Sequence, residues 1–289
     1  MFVILGYLVV LACVFGGYAI AGGHFAVLAK AAPIELFIIC GAAAGAFMVG
    51  NSGKVIKATL LFVPQLLKGS KYTKARYMEL MALLYELLSK ARKEGLMSIE
   101  EDVENPQESA LFQKYPLVLA DTHVLEFMTD YLRMMVSGNL NAHEIEQLMD
   151  AEIETHHHEA MVPATAIQAV GDGLPAFGIV AAVLGVVKTM ASVGAAPAVL
   201  GQMIAGALVG TFIGILMAYG FVTPLAHLAG QKADEETKEL QCVKATLLAS
   251  VQGYAPVVAL EFGRKVLYST ERPRFIELED HVKGRKAAA

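Results

Sequence analysis

Four stretches of the chain are almost free of charge, and the remainder alternates polar and apolar positions at helical spacing. Residues 1–21, MFVILGYLVVLACVFGGYAIA, carry no charged side chain and are long enough to cross a hydrocarbon layer of roughly 30 Å at about 1.5 Å per helical residue. No basic residue precedes the run and it is long for the apolar part of a leader, so it is expected to stay as a spanning helix. A short turn ending at Pro33 is expected next. The second apolar run, Ile34 to Gly50, barely suffices to span and has Glu35 at its edge. The third and fourth runs, about 170–191 and 199–229, are joined by SVGAAP and are expected to form a membrane hairpin.

Between the second and third runs the pattern changes. From Tyr72 to Gly95 the apolar positions Met78, Met81, Leu84, Tyr85 and Leu88 share one face while Lys74, Glu86, Lys90 and Lys93 lie elsewhere, which predicts an amphipathic helix closed by Gly95. Ser98 and Glu101 have the spacing of a capping box, so a short helix is expected before Pro106. Helical patterns follow over Pro116–Ser137 and Ala142–Glu159, and a charged tail with a break at Pro256 ends the chain. The expected fold class is therefore all-α: an integral membrane protein with four transmembrane helices and a large helical cytoplasmic domain. Its segments are residues 1–50 (helices 1 and 2), 51–169 (the soluble domain), 170–229 (helices 3 and 4) and 230–289 (a helical tail).

Charge sets the orientation. Eleven Lys and Arg fall in 51–169 and ten in the tail, against Lys30 and Lys188 in the remaining connections. Basic segments are retained in the cytoplasm, which places both termini inside. The net charge of −5 and the absence of a basic face argue against nucleic acid. Cys13, Cys40 and Cys242 show no metal or redox spacing and read as reduced packing residues. His156, His157 and His158 cannot all face one ion, because consecutive helical residues diverge by about 100°, and they read as a solvated run. No hydrolase or nucleotide motif occurs, so neither an enzyme nor a cofactor or metal is expected.

Two features carry candidate chemistry. The run GDGLPAFGIVAAVLGVVKTM has small residues throughout and Pro175 in its first turns; a proline there frees a backbone carbonyl and kinks the axis, which suits a helix that lines a path or moves. The other feature is an absence: with Glu35 and Asp172 both at segment ends, no run has an acid at mid-depth. An ion relay needs one. Either the protein moves no ions or a partner supplies the carboxylate.

The segments GYLVVLACVFGGY, GNSGKVIKATL, KYTKARYMELMALLYELL, ENPQES, GDGLPAFGIV, ALVGTFIGILMAYGF and EFGRKVLYSTERP resemble those of the MotA family of flagellar stator proteins, over almost the whole chain. The resemblance implies a proton channel formed with MotB, whose membrane helix brings the proton-accepting Asp, as five copies around a MotB dimer, driving the rotor protein FliG. It further implies that Pro175 and Pro224 shape the channel and couple protonation to movement, that Thr211 lines the path, and that Arg92 and Glu100 meet the rotor. Sodium-driven relatives carry a threonine where Ala182 stands, so proton drive is expected. The competing readings are an energiser of the ExbB and TolQ kind and a non-conducting membrane scaffold.

Overall fold

The structure, a computed structural model, describes residues 2–138 and 141–288, with side chains considered up to Val282. It is all-helical among the described residues, and it divides into two compact units. One comprises residues up to Gly69 together with Ala160–Gln231; the other comprises Ser70–Glu159 and Lys232 onward.

The first unit contains the apolar helices. Helix α1 (Phe2–Ile20) buries none of its residues, and Phe2, Ile4, Leu5, Leu8 and Val9 all lie exposed. Helix α2 runs from Phe25 to Gly50 and α3 from Gly53 to Leu66, with Ser52 Oγ accepting from Val55 N at the start of α3. Among the described residues four helices are long and apolar enough to cross a membrane. Outward apolar faces such as Phe37, Val49, Val183, Leu184, Val187 and Leu208 need lipid or protein against them, since patches of this size are not left in water.

Helix α2 departs from expectation. Pro33 lies inside it instead of ending a turn, because the missing N–H of a proline costs one hydrogen bond but does not stop an otherwise apolar helix whose neighbours pack against it. The helix is consequently 26 residues long, and Glu35, expected at an edge, is its eleventh residue. Asp172 is likewise inside a helix, where its Oδ1 accepts from Gln168 Nε2 at 2.7 Å.

The second unit is built on α4 (Lys74–Glu94). Thr73 caps it by accepting from Arg76 N, and Gly95 at φ +91° ends it, a backbone conformation that only glycine adopts without strain. Met81, Leu84 and Leu88 are buried as the pattern demands, but so are Leu80, Leu83 and Leu87, because α5 (Glu100–Glu104), α6 (Pro116–Leu119) and α7 (Thr122–Ser137) wrap the helix together with tail segments. Phe112, Tyr115, Leu132, Val243, Leu247 and Leu260 complete this core.

Two local expectations fail here. Ser98 does not cap α5: its hydroxyl donates to Gly95 O at 2.7 Å, within a short 3₁₀ turn over Leu96–Ile99. The Pro116–Ser137 pattern breaks before Thr122, where Asp121 turns its carboxylate inward to Arg76 and Lys71 rather than outward from a helix. Asp121 is drawn away by tertiary partners and Ser98 by a backbone carbonyl three residues earlier; in both cases a side chain with a nearer partner does not serve the expected motif.

The chain continues through α8 (Ala142–Met190), α9 (Pro197–Met217), α10 (Thr223–Val251), α11 (Pro256–Val266) and α12 (Phe275–Ala288). Between α9 and α10 a π-helical turn spans Ala218–Val222. The break at Pro256 falls where expected, with the proline in the first turn of α11.

Candidate functional site

Close packing of α8 on α9 defines the membrane site. Gly206, Gly210 and Gly214 recur every fourth residue on α9, giving a stripe without side chains that a facing helix can approach. Gly178 of α8 uses it. A methyl group placed on Gly178 would lie 2.9 Å from Gly210 O and 3.1 Å from Gly214 Cα, and one on Gly214 would lie 2.7 Å from Leu174 O. Gly185 approaches Ala207 as tightly. Neither helix could accept larger residues at these positions without separating.

The candidate residues gather along this contact. Thr211 Cα would stand 3.4 Å from a methyl on Gly178, and Ala182 N 3.3 Å from one on Gly210. Ala182 and Thr211 therefore occupy adjoining levels of the same helix pair, and Pro175 lies on α8 about two turns from Ala182. Pro224 is in the first turn of α10, directly after the π-helical turn.

The two prolines, 49 positions apart in sequence, have connected backbones. Pro175 removes the partner of Gly171 O, four residues earlier, and Pro224 removes the partner of Gly220 O. A methyl on Gly171 would lie 2.7 Å from Thr223 Oγ1 and 3.4 Å from Thr223 N. The residue that Pro175 releases thus touches the residue that precedes Pro224. Thr223 Oγ1 is itself buried with no hydrogen-bond partner among the described residues. Helix α1 supports the same place: Tyr7 Oη donates to Phe221 O at 3.0 Å, satisfying a carbonyl within the π-helical turn, and its ring stacks on Phe221 with centroids 4.8 Å apart.

Sequence reasoning missed one member of this site. Glu35 of α2 is 8% exposed, and its Oε2 would lie 2.6 Å from a methyl on Gly210, around the same point as Ala181 Cβ and Ala182 N. An acid is therefore buried inside a helix long enough to span, where the expectation put Glu35 at the end of its run and no acid at mid-depth. The available signal was an acid ten residues past the start of the 26-residue helix, hidden by reading Pro33 as a boundary.

The second candidate pair is on the other unit. Arg92 is exposed in the last turn of α4 and Glu100 is exposed at the start of α5, with the Gly95 turn and the exposed side chains of Leu96 and Met97 between them. Among the described residues neither takes part in an ion pair. Arg92 and Leu96 also line a pocket of about 380 Å³ whose other walls include Met135, Ile145 and Tyr254. A mixed surface of this kind, apolar with charges at its margin, suits docking of another protein.

Behind that surface the unit is held by buried charge. Arg76 donates through Nε to Glu239 Oε1 at 2.6 Å and through Nη2 to Glu239 Oε2 at 2.9 Å, and also to Asp121 Oδ2 at 2.7 Å and Leu117 O at 2.9 Å. Burial alone would raise the Asp121 carboxyl, but the Lys71 ammonium and the Arg76 guanidinium bring it below the usual carboxylate range. The histidine run is not uniformly solvated. His156 Nε2 lies 3.1 Å from Glu236 Oε1, His157 Nδ1 lies 2.8 Å from Thr237 Oγ1, and only His158 is open, because successive residues of α8 face different neighbours. No group among the described residues could hold a metal ion.

Residues 4–95 match the family described as Motility protein A N-terminal, and residues 120–242 match the MotA/TolQ/ExbB proton channel family. Motility protein A of Salmonella typhimurium is 58% identical over 98% of this chain and 96% of its own length. The chain belongs to the MotA/TolQ/ExbB proton channel family. Motility protein A of Escherichia coli is 57% identical over 99% of the chain and 96% of its own length, and chemotaxis protein LafT of Vibrio parahaemolyticus is 40% identical over 95% and 96%.

The fold agrees. A chain of the C. jejuni MotAB structure superposes with a TM-score of 0.75 at 21% identity, covering 92% of this chain and 95% of that one. The flagellar MotAB stator complex of Bacillus subtilis gives 0.70 at 24%, covering 89% and 92%. This member of the proton channel family is a multi-pass membrane protein and a flagellar stator subunit. The α8–α9 contact and the buried acid beside it are thus features of a channel protein, where side-chain-free helix contacts and intramembrane ionisable groups both have uses.

Proposed function

We propose that this chain pairs with MotB and conducts protons along the α8–α9 hairpin, turning their inward flow into torque on the rotor protein FliG. The single observation that carries the reading is the gathering of Ala182, Thr211 and the backbones around Pro175 and Pro224 on one closely packed helix pair. The MotAB complexes whose fold the chain shares support MotB as the partner. In this reading MotB supplies an Asp, and five copies of the chain surround a MotB dimer. Protonation of that Asp changes which contacts with α8 and α9 are favourable, and the freed carbonyls at the two prolines let the helices adjust. A switch of this type requires two packings of similar free energy biased by one charge.

Residues 51–169 and the tail lie in the cytoplasm with both termini in this reading, which the distribution of Lys and Arg supports. Arg92 and Glu100, exposed and unpaired there, meet FliG by charge complementarity.

Ala182 supports proton drive. A sodium ion shedding water needs several oxygen ligands, whereas a proton needs one basic oxygen and a water chain. A methyl group at this level offers no oxygen, and Thr211 is the hydroxyl left within α9. Motility is measured with external sodium removed, and then with a protonophore at constant sodium gradient. Swimming that persists in the first case and stops in the second is expected; sodium-dependent swimming insensitive to the protonophore overturns the reading.

A further inference from the structure

Glu35 is out of place for a packing residue. It points from the middle of α2 at the glycine stripe of α9, where an alanine or leucine would bury more apolar surface at no polar cost. Its Oε2 is fully buried and has no hydrogen-bond partner among the described residues. A carboxylate in that setting would be an unpaired charge in a low-dielectric layer, so in this packing the group carries its proton.

Among the described residues no ionisable group of α8 or α9 is placed to neutralise it instead. Helix α9 has no ionisable residue between Pro197 and Met217. On α8 the nearest are Asp172, engaged by Gln168, and Lys188, six residues beyond Ala182. On α2 itself Lys30 is five residues away and Cys40 has its thiol directed at Met217 Sδ, 3.9 Å distant.

What lies beside the carboxyl is the ion path of the proposed function. Gly210 contributes no side chain, so Glu35 Oε2, Ala181 Cβ and Ala182 N gather around the space a methyl there would fill, and Thr211 is the next residue of α9. We propose that Glu35 is a second proton-binding group of this channel, loading and unloading a proton at Oε2 across the Gly210 gap. In the step the Oε2–H bond breaks as a water oxygen in the path accepts the proton, and it re-forms when the next proton arrives; no other bond changes. The gap opens to water when α9 shifts off α2, and closes on a neutral carboxyl. This inference rests on the proton-conducting reading above and adds to it a titrating carboxyl contributed by this chain besides the partner's Asp.

The test uses the full chain assembled with MotB in a conducting form and reconstituted in lipid vesicles, with proton flux followed by an enclosed pH dye across a range of external pH. Co-purification with MotB reports assembly. Glu35→Gln keeps the shape and a neutral head group but cannot release a proton, so flux is expected to fall on the order of ten-fold or more, as for loss of a proton-transfer group. Glu35→Asp is expected to keep flux but move its pH midpoint, an effect a structural role would not produce. Glu35→Gln vesicles that match the native complex in flux and pH profile overturn the inference while leaving the proton channel intact. Native vesicles that move sodium and no protons overturn both readings.

Should Glu35→Gln fail to assemble, infrared difference spectra of the native complex between high and low pH decide the matter, recorded beside a complex whose MotB Asp is replaced by Asn. A titrating carboxyl band that survives the MotB replacement and shifts in the Glu35→Asp complex supports Glu35. Spectra in which no titrating band shifts in Glu35→Asp overturn it.

Discussion

Thr223, one residue before Pro224, sets its hydroxyl against Gly171, the residue whose carbonyl loses its i+4 donor to Pro175. Two proline sites that sequence alone shows as separate are thereby parts of one contact. Overfilling it separates them: Gly171→Val is expected to destabilise the packing by about 1–3 kcal/mol and to abolish torque. Thr223→Val, which keeps the shape and removes an unpartnered hydroxyl, is expected to preserve assembly. Swimming speed with membrane abundance as control checks both; normal swimming in Gly171→Val would show that the contact does not matter.

Removing Arg76 strands Glu239, which is completely buried, and deprives Asp121 of one cation. Breaking a buried pair from one side costs about 3–5 kcal/mol, whereas replacing all partners by apolar groups is often neutral. Arg76→Met is therefore expected to unfold the second unit at markedly lower temperature, and adding Glu239→Leu to recover part of the loss. Thermal melts of the purified single and double variants, at equal protein concentration, measure the coupling.

Asp121 makes the same network sensitive to acid. Its carboxyl is held below the ordinary value of 3.8, so its contribution to stability is present above that value and is lost as pH falls through the lower folded one. Asp121→Asn is expected to lower the melting temperature at neutral pH, and the difference from the native chain is expected to vanish at strongly acid pH. An equal gap at both would mean that shape, not charge, holds the site.

For the exposed pair, each charge is worth about 0.2–1 kcal/mol, so Arg92→Glu or Glu100→Lys alone is expected to slow swimming little and the double reversal to impair it strongly. Charge reversals on FliG are expected to restore motility in those backgrounds. Absence of any such rescue, together with normal motility in the double variant, would remove both residues from the rotor contact.

Much of this protein was legible from one dimension. Four apolar runs cannot be solvated and must span, a helical period in the intervening segment must bury one face, and long runs of family resemblance marked Pro175, Pro224, Thr211, Ala182, Arg92 and Glu100. These conclusions depend on local composition, which neighbours in space do not alter. Packing decided the rest. Pro33 ends a helix in an isolated chain but not in one whose neighbours hold it, so only the tertiary structure moved Glu35 from an edge to the interior of α2. The break at Asp121 went to a partner 45 residues away that no local motif could anticipate, while at Ser98 one local bond, to Gly95 O, displaced another. The contact between Gly171 and Thr223 and the approach of Glu35 to Gly210 join residues 52 and 175 positions apart. Such distances carry no periodic signal, and they close only because glycines let helix backbones meet.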